Sequence, residues 1–214
     1  MRFLFQGDSI TDASRLDKKE PLSTGQGYVR LLEARLTYEM TDAEVLNCGV
    51  SGNKILDMLA RWKKDCLNLK PNVLTILVGI NDIIQEYAYR NGVEIGLFEK
   101  VYKLLLEQVK MNLPDTKVIL MLPFVIGKEN ADPIWGKHYE SIKSDLVCRQ
   151  AIIKRLAKEF NVTYLDLQSV FDEAQMRAPE EHWSFDCVHP TAAGHELIAR
   201  AWYNCWKHTE NEGI

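Results

Sequence analysis

The chain has 214 residues and a formal net charge of −4. Its charged fraction of 26% and hydrophobic fraction of 46% are globular values, which exclude a disordered, fibrous or membrane-spanning chain. The slight acidity argues against nucleic acid as a partner, because proteins that bind nucleic acid normally carry a basic surface. No apolar run reaches the roughly 18 residues of a membrane span. A chain of this length buries about 70–75% of its unfolded surface. We therefore expect a single domain over residues 1–214 that needs no stabilising metal or disulfide.

The first residues and the cysteines favour a cytoplasmic protein. Met1–Phe5 is too short for the apolar core of a signal peptide and leads directly into a turn at Gly7. The five cysteines are scattered, odd in number and without a C-x-x-C pair. This pattern predicts free thiols in a reducing compartment and argues against a zinc site. We expect each cysteine to be a small buried hydrophobe.

Short β-branched or aromatic segments alternate with longer segments of helical periodicity along the chain. Strands are predicted at Arg2–Phe5, Glu44–Asn47, Val73–Val78, Lys117–Met121 and Val162–Leu165. Helices are predicted at Tyr28–Tyr38, Lys54–Asp65, Ile95–Met111, Tyr139–Phe160 and from about Thr191 to Lys207. The alternation predicts an α/β fold with a parallel sheet between two layers of helices. Segment Pro123–His138 is the one long irregular stretch, and such loops are usually functional or mobile.

Chemically distinctive residues follow the predicted strands and precede the last helix. The four segments are Gly7-Asp8-Ser9-Ile10-Thr11-Asp12, Asn47-Cys48-Gly49-Val50-Ser51-Gly52-Asn53, Gly79-Ile80-Asn81-Asp82 and Asp186-Cys187-Val188-His189-Pro190. Because ligands bind beyond the carboxyl ends of the strands in a sheet of this kind, we expect these segments to form one site.

These segments supply the parts of a serine hydrolase. A serine hydroxyl such as that of Ser9 becomes a nucleophile when a neighbouring base takes its proton, and His189 can be that base. Asp186 precedes His189 by three residues, so its carboxylate can orient the imidazole and stabilise the imidazolium. Glycine turns at Gly49 and Gly52 expose backbone N–H groups, and Asn81 adds an amide. Such donors each stabilise an oxyanion transition state by about 3–4 kcal/mol.

Each segment taken alone has an ordinary structural explanation. A Gly-Asp-Ser turn is usually a strand-end loop in which Asp8 bonds backbone N–H groups. Segment 79–82 could be a helix cap, and a His-Pro pair usually begins a helix. The four segments in order, at the ends that the topology predicts, favour catalysis.

The same four segments resemble blocks I, II, III and V of the SGNH/GDSL hydrolases, and the resemblance extends from residue 2 to about residue 202. It implies the SGNH hydrolase fold, a three-layer α/β/α, flavodoxin-like arrangement with five parallel strands. It implies Ser9 as the nucleophile, His189 as the base and Asp186 as the carboxylate that orients His189. It implies no cofactor. The implied oxyanion donors are the N–H groups of Ser9 and Gly52 and the side-chain amide of Asn81.

A closer resemblance is to intracellular bacterial carbohydrate acetylesterases that deacetylate xylan fragments and related sugars. It is carried by the segments Gly25-Gln26-Gly27-Tyr28-Val29, Ser51-Gly52-Asn53-Lys54, Ala60-Arg61-Trp62, Gly79-Ile80-Asn81-Asp82-Ile83 and His189-Pro190-Thr191-Ala192-Ala193-Gly194-His195 with Ile198-Ala199-Arg200-Ala201. The resemblance implies an oligosaccharide or small-molecule ester as substrate and a homo-oligomer. Similar enzymes tend to carry Trp before the aspartate, where this chain has Phe185. An aromatic wall is kept while an indole N–H is lost.

Further residues are candidates for contacting the substrate. Asp8 and Phe185 adjoin the predicted catalytic residues, and Phe124 and Trp135 could form an aromatic platform over Ser9 on which a sugar ring stacks. The alternative for the aromatic residues is ordinary packing.

Two other groups of residues have competing interpretations. Asp8, Asp12 and Asp82 could be imagined as metal ligands, but each is expected to cap or brace its own loop. Arg61-Trp62 and the pair Trp202 and Trp206 could serve a subunit interface, where Arg and Trp are enriched.

The leading functional hypothesis is an esterase that removes acetyl groups from sugar hydroxyls through an acyl-Ser9 intermediate. The alternative keeps this chemistry in a lysophospholipase or acyl thioesterase, which would require an apolar groove; the polar character of segment 123–138 argues against one. A third hypothesis is a catalytically inactive binding module. It would require that a catalytic residue be missing, and none is missing.

Overall fold

The computed structural model describes residues 1–15, 24–128 and 131–211. Its strands are β1 (Arg2–Gly7), β2 (Glu44–Gly49), β3 (Val73–Leu77), β4 (Lys117–Met121) and β5 (Thr163–Leu165). Its helices are α1 (Ser9–Asp12), α2 (Tyr28–Glu39), α3 (Ile55–Asp65), α4 (Ile80–Tyr89), α5 (Ile95–Asn112), α6 (Pro133–Gly136), α7 (Tyr139–Phe160), α8 (Leu167–Gln175), α9 (Glu180–Trp183) and α10 (Ala192–Asn211).

The five strands form one parallel sheet in the order β2-β1-β3-β4-β5. The predicted α/β class is confirmed, as are the five strands and the five long helices, with bounds shifted by a few residues. Helices α4 and α8 were not predicted, and the loop predicted at 123–138 contains the short helix α6. The chain order reverses between β1 and β3, which is the point where sheets of this order bind their ligands.

Two hydrophobic cores lie on opposite faces of the sheet. Successive residues of a strand point to opposite faces, so Phe3 and Phe5 of β1 join one core while Leu4 joins the other. The first core is covered by α2, α8 and α10, and the second by α3, α5 and much of α7. The result is the three-layer α/β/α architecture.

The tryptophans proposed for a subunit interface belong to these cores. Trp62, Trp202 and Trp206 are fully buried, so that interpretation is wrong for all three. The Trp202 indole N–H donates to Thr75 Oγ1 at 2.8 Å. This bond satisfies the one polar side chain that β3 turns towards that core.

The cysteines are free thiols, as predicted, but they are not all buried. Cys66 and Cys187 are buried, and Cys48 and Cys205 are partly buried. Cys148 is exposed because it lies on the outward face of α7, as does the neighbouring Val147. The expectation of a buried cysteine is therefore wrong for Cys148.

Within the described ranges, no helix is both long and apolar enough to cross a membrane. In the same part of the chain, no group of three or more His, Cys, Asp or Glu side chains is arranged to hold a metal ion.

Candidate active site

Three side chains form a hydrogen-bonded chain at the carboxyl edge of the sheet. Ser9 Oγ lies 2.8 Å from His189 Nε2, and His189 Nδ1 lies 2.6 Å from Asp186 Oδ2. Ser9 is the first residue of α1, directly after β1, while Asp186 and His189 lie in the loop before α10. Residues 180 positions apart are thus brought together. In this order a carboxylate orients an imidazole that can take the proton of a hydroxyl.

The backbone of the loop fixes the Asp186 carboxylate. Its Oδ1 accepts the N–H groups of Val188 at 3.1 Å and His189 at 2.7 Å, which leaves Oδ2 for the imidazole. A bridge between Ser184 and Pro190 closes the loop. Burial raises the pKa of Asp186, but the hydrogen bonds from the His189 ring and backbone outweigh it and leave that pKa low. The hydrogen bond to Asp186 in turn raises the pKa of His189, against the opposing effect of burial.

The turn that presents Ser9 depends on the two residues before it. A Cβ on Gly7 would lie 2.2 Å from Thr11 Oγ1, so only glycine lets α1 fold back over the strand end. Asp8 caps α1, because its Oδ1 accepts the N–H of Ile10 at 3.0 Å. It is 1% exposed, so it cannot contact a substrate; that expectation is wrong, and the capping alternative holds. Burial raises the pKa of Asp8 to about 7.

Donors for an oxyanion follow the first three strands. The Ser9 N–H begins α1 and is one of the amides that helix geometry leaves unpaired. Gly52 has φ +79°, a conformation that favours glycine, and its N–H has no partner among the described residues. One N–H of the Asn81 amide donates to Asn53 O at 3.3 Å, and its second N–H remains for a ligand. The Gly52 carbonyl accepts Gln85 Nε2 at 2.8 Å, which holds this loop in place.

Arg61 ties these loops together, a role that the sequence analysis missed. Its guanidinium donates to Cys48 O at 2.7 Å, to Gly7 O at 3.2 Å and to Asn53 Oδ1 at 2.7 Å. It therefore joins the ends of β1 and β2 to the segment that carries Gly52. The available signal was a charged residue beside the inward stripe of α3, formed by Ile55, Met58 and Trp62.

Asp82 connects the second and third loops. Its carboxylate is fully buried and accepts the N–H of Ile55, the first residue of α3, at 3.1 and 3.3 Å. The expectation that Asp82 braces its own loop is therefore corrected, because it caps a different helix. Burial raises the pKa of Asp82 to about 6.

A cleft of about 660 Å³ opens beside Ser9 and His189. Its lining residues are Ser9, Ile10, Asp12, Ala13, Ser14, Gln26, Ser51, Phe185, His189, Pro190, Ala192 and His195. Phe185 is 70% exposed at this cleft. Asp12 accepts the N–H of Ser51 at 3.2 Å and pairs with Arg15 at 3.5 Å, so it braces the cleft wall from α1. The volume is within the range of small-molecule sites.

The structure does not bring Phe124 and Trp135 to this cleft. Phe124 is 0% exposed and packs on Phe171 with ring centroids 4.6 Å apart, and Trp135 is 7% exposed in the same core. The predicted platform over Ser9 is therefore wrong, and the packing alternative accounts for both rings. Residues 129 and 130, part of the polar stretch cited against an apolar lid, lie outside the described residues.

A family model, described as the GDSL-like lipase/acylhydrolase family, matches residues 5–197. The chain belongs to this family. It is 32% identical over 207 residues to an acetylxylan esterase from Geobacillus stearothermophilus, a match that covers 94% of this chain and 91% of that protein. It is also 39% identical over 85 residues to esterase TesA from Pseudomonas aeruginosa, which covers 40% of this chain and 39% of that protein.

Solved structures show the same fold. The crystal structure of the Geobacillus stearothermophilus acetylxylan esterase superposes with a TM-score of 0.81 at 30% identity and covers 95% of this chain and 93% of that one. A GDSL-like lipase from Parabacteroides merdae, itself of inferred function, gives a TM-score of 0.85 at 34% identity, covering 95% and 94%. Three further structures of the Geobacillus esterase are described as catalytic mutants, in which a serine, an aspartate or a histidine is replaced by alanine.

Proposed function

We propose that this GDSL-type esterase hydrolyses acetyl esters of sugars or xylo-oligosaccharides through an acyl-Ser9 intermediate. The observation that carries the proposal is the hydrogen-bonded chain from Ser9 through His189 to Asp186 at the open cleft. The aspartate and histidine replaced in the Geobacillus catalytic mutants are three residues apart, as are Asp186 and His189. This agreement supports the same assignment here.

In the acylation step, His189 Nε2 takes the proton of Ser9 Oγ as the oxygen attacks the ester carbonyl. The negative charge moves to the carbonyl oxygen, where the N–H groups of Ser9 and Gly52 and the amide of Asn81 receive it. When the tetrahedral intermediate collapses, the C–O bond to the alcohol breaks and the protonated His189 gives its proton to the leaving oxygen.

In the deacylation step, His189 takes a proton from water, and the resulting hydroxide attacks the acyl-Ser9 carbonyl. The same donors hold the second oxyanion, and collapse returns the proton to Ser9 Oγ and releases the acid. By accepting a hydrogen bond from His189 Nδ1, the Asp186 carboxylate keeps a proton on that nitrogen and favours the imidazolium that both steps form.

The sugar specificity is supported by the named activity of the relative and by the walls of the cleft. Phe185 offers an exposed ring, and the apolar C–H face of a sugar packs well on such a surface. In the lining of the same cleft, Asp12, Gln26 and Ser51 offer polar groups to hydroxyls. The five free cysteines support a reducing, cytoplasmic location. The single domain over residues 1–214 and the homo-oligomer stay predictions.

The test is hydrolysis of p-nitrophenyl acetate, butyrate and octanoate, followed by acetylated xylo-oligosaccharides, with the wild type and the Ser9→Ala variant. We expect acetate to be preferred and Ser9→Ala to lose at least about a thousandfold in kcat, as removal of such a nucleophile does. A preference for octanoate would move the assignment to the lysophospholipase or thioesterase alternative. Equal rates for the two proteins would remove Ser9 as the nucleophile. The exposed Ser14→Ala variant, altered in the same cleft, is the matched control.

A further inference from the structure

His195 is a second imidazole at the cleft, and the proposed reaction does not require it. It lies in the first turns of α10, six residues after His189, and lines the same cleft. Its ring is stacked on that of Tyr28, with centroids 6.4 Å apart and planes at 21°. The side chain is therefore held between α10 and α2.

The hydrogen bonding of His195 fixes which nitrogen carries its proton. The backbone N–H of Tyr28, the first residue of α2, donates to His195 Nδ1 at 3.2 Å. Gly27 before it offers no side-chain cap, so this bond satisfies an otherwise unpaired helix amide. Since Nδ1 accepts a hydrogen bond, the proton of the neutral ring is on Nε2.

A second proton on His195 is strongly disfavoured. It would place an N–H at Nδ1 directly against the N–H of Tyr28. Burial, together with the positive charge that His189 acquires, lowers the pKa of His195 to about 4. The ring is therefore neutral around pH 7 and presents an N–H donor at Nε2, for which the described residues provide no partner.

The chemistry of the proposed reaction places the alcohol part of the ester on this side of the cleft. His189 must reach the leaving oxygen to give it a proton, so the alcohol lies over His189. Beyond His189 the wall of the cleft is formed by Pro190, Ala192 and His195. Pro190 and Ala192 offer no side-chain donor, so among these three described residues Nε2 of His195 is the one side-chain donor.

We propose that His195 Nε2–H donates a hydrogen bond to a hydroxyl or ether oxygen on the alcohol part of the substrate, and so selects polyhydroxylated alcohols such as sugars. This inference rests on the proposed esterase function and deepens it. One hydrogen bond of this kind corresponds to about a 3- to 10-fold effect on kcat/KM. Because it forms with the bound substrate and persists in the transition state, the effect falls on KM rather than on kcat.

The test separates the donor from the cap. In His195→Asn the amide oxygen can replace Nδ1 as acceptor for Tyr28 N–H, while the donor at the Nε2 position is lost. We expect KM for acetylated xylobiose to rise about 3- to 10-fold, with kcat nearly unchanged. Phenyl acetate has no further oxygen in its alcohol part, so the His195→Asn variant should hydrolyse it as well as the wild type does. His208→Asn, at an exposed position near the end of the same helix, is the matched control and should change neither substrate.

Two results would overturn the inference: equal losses on both substrates, which indicate a purely structural role, or no loss on either. The proposed function is tested by different measurements. If the wild type cleaves acetylated xylobiose and Ser9→Ala does not, the function holds whatever His195→Asn shows. If the wild type does not cleave acetylated xylobiose, both the proposed function and the role of His195 fail.

Discussion

The buried Asp8 carboxyl makes the stability of this protein depend on pH in a way that one substitution can isolate. Burial raises the pKa of Asp8 from 3.8 to about 7, and its Oδ2 has no partner among the described residues. The folded protein therefore binds this proton more tightly than the unfolded chain does. Between about pH 4 and pH 7 the folded state holds more protons, so the free energy of unfolding falls as pH rises.

The size of the effect follows from the shift. A change of about 3 pKa units at about 1.36 kcal/mol each gives a loss of up to about 4 kcal/mol, complete above pH 7. Asp8→Asn keeps an oxygen for the N–H of Ile10 and carries no charge at any of these pH values. Its stability relative to the wild type should rise by up to about 4 kcal/mol from pH 4 to pH 8. Asp82 is electrostatically coupled to Asp8, so removing the charge also weakens the pH dependence of Asp82, in the same direction.

Urea unfolding of both proteins at half-unit steps from pH 4 to pH 8 measures this difference. Only the change with pH is diagnostic, because the buried amide N–H₂ of the variant lowers its stability by about 1–3 kcal/mol at every pH. Asp115→Asn, at an exposed position, controls for the change in net charge. Parallel stability curves for wild type and Asp8→Asn would show that the Asp8 proton is bound equally in both states and would refute the reasoning.

Three further predictions concern the site. In Asp186→Asn, kcat should fall by about 10⁴-fold. Since Asp186 raises the pKa of His189, the acid limb of the kcat/KM profile should also move to lower pH. An acid limb at the wild-type pH would contradict the assignment of Asp186 as the partner of His189. Gly52→Ala meets no steric clash, but a side chain disfavours φ +79°, so we expect about 1–2 kcal/mol of destabilisation. Because relief of this strain turns the Gly52 N–H away from the oxyanion, kcat should fall by about 10- to 100-fold with KM nearly constant. Arg61→Met removes five hydrogen bonds, among them those to Cys48 O, Asn53 Oδ1 and Gln6 Oε1, and should lower the free energy of unfolding by at least about 2 kcal/mol, measured in urea. Lys63→Met, on the exposed face of α3, should not.

The strands and long helices were predictable because each is set by a local pattern. β3 is a run of apolar and β-branched residues, and the 22-residue helix α7 has buried residues at helical spacing from Ile142 to Ala157. The pairing of Asp186 with His189 was predictable for the same reason, since one turn of chain separates them. Helix α4 was not predicted because segment 79–82 was considered only as a strand end or a helix cap, although Ile80 and Ile83 are buried at helical spacing.

The contacts that hold the site were not predictable from local patterns, because they join segments far apart in the chain. Arg61 reaches a carbonyl 54 residues away in β1, and Asp82 caps a helix that begins 27 residues earlier. Periodicity identifies the face of a helix that turns inward but not the group that it meets there. His195 is a similar case, since its partner, Tyr28 N, is 167 residues away.

The segment after β4, which was expected to contact the substrate, instead supports the loop that holds Asp186 and His189. Phe124, Val125 and Ile126 are all buried, so this stretch cannot be a substrate platform. Instead, the Ile126 N–H donates to Cys187 O at 2.8 Å, and the N–H of Val125 donates to Gln168 Oε1 at 3.0 Å. Cys187 has φ +71°, an uncommon backbone conformation for a residue other than glycine. A bond at its carbonyl is well placed to stabilise that conformation and, with it, the loop in which Asp186 and His189 meet. The segment therefore supports the position of this loop and, with it, that of Asp186 and His189.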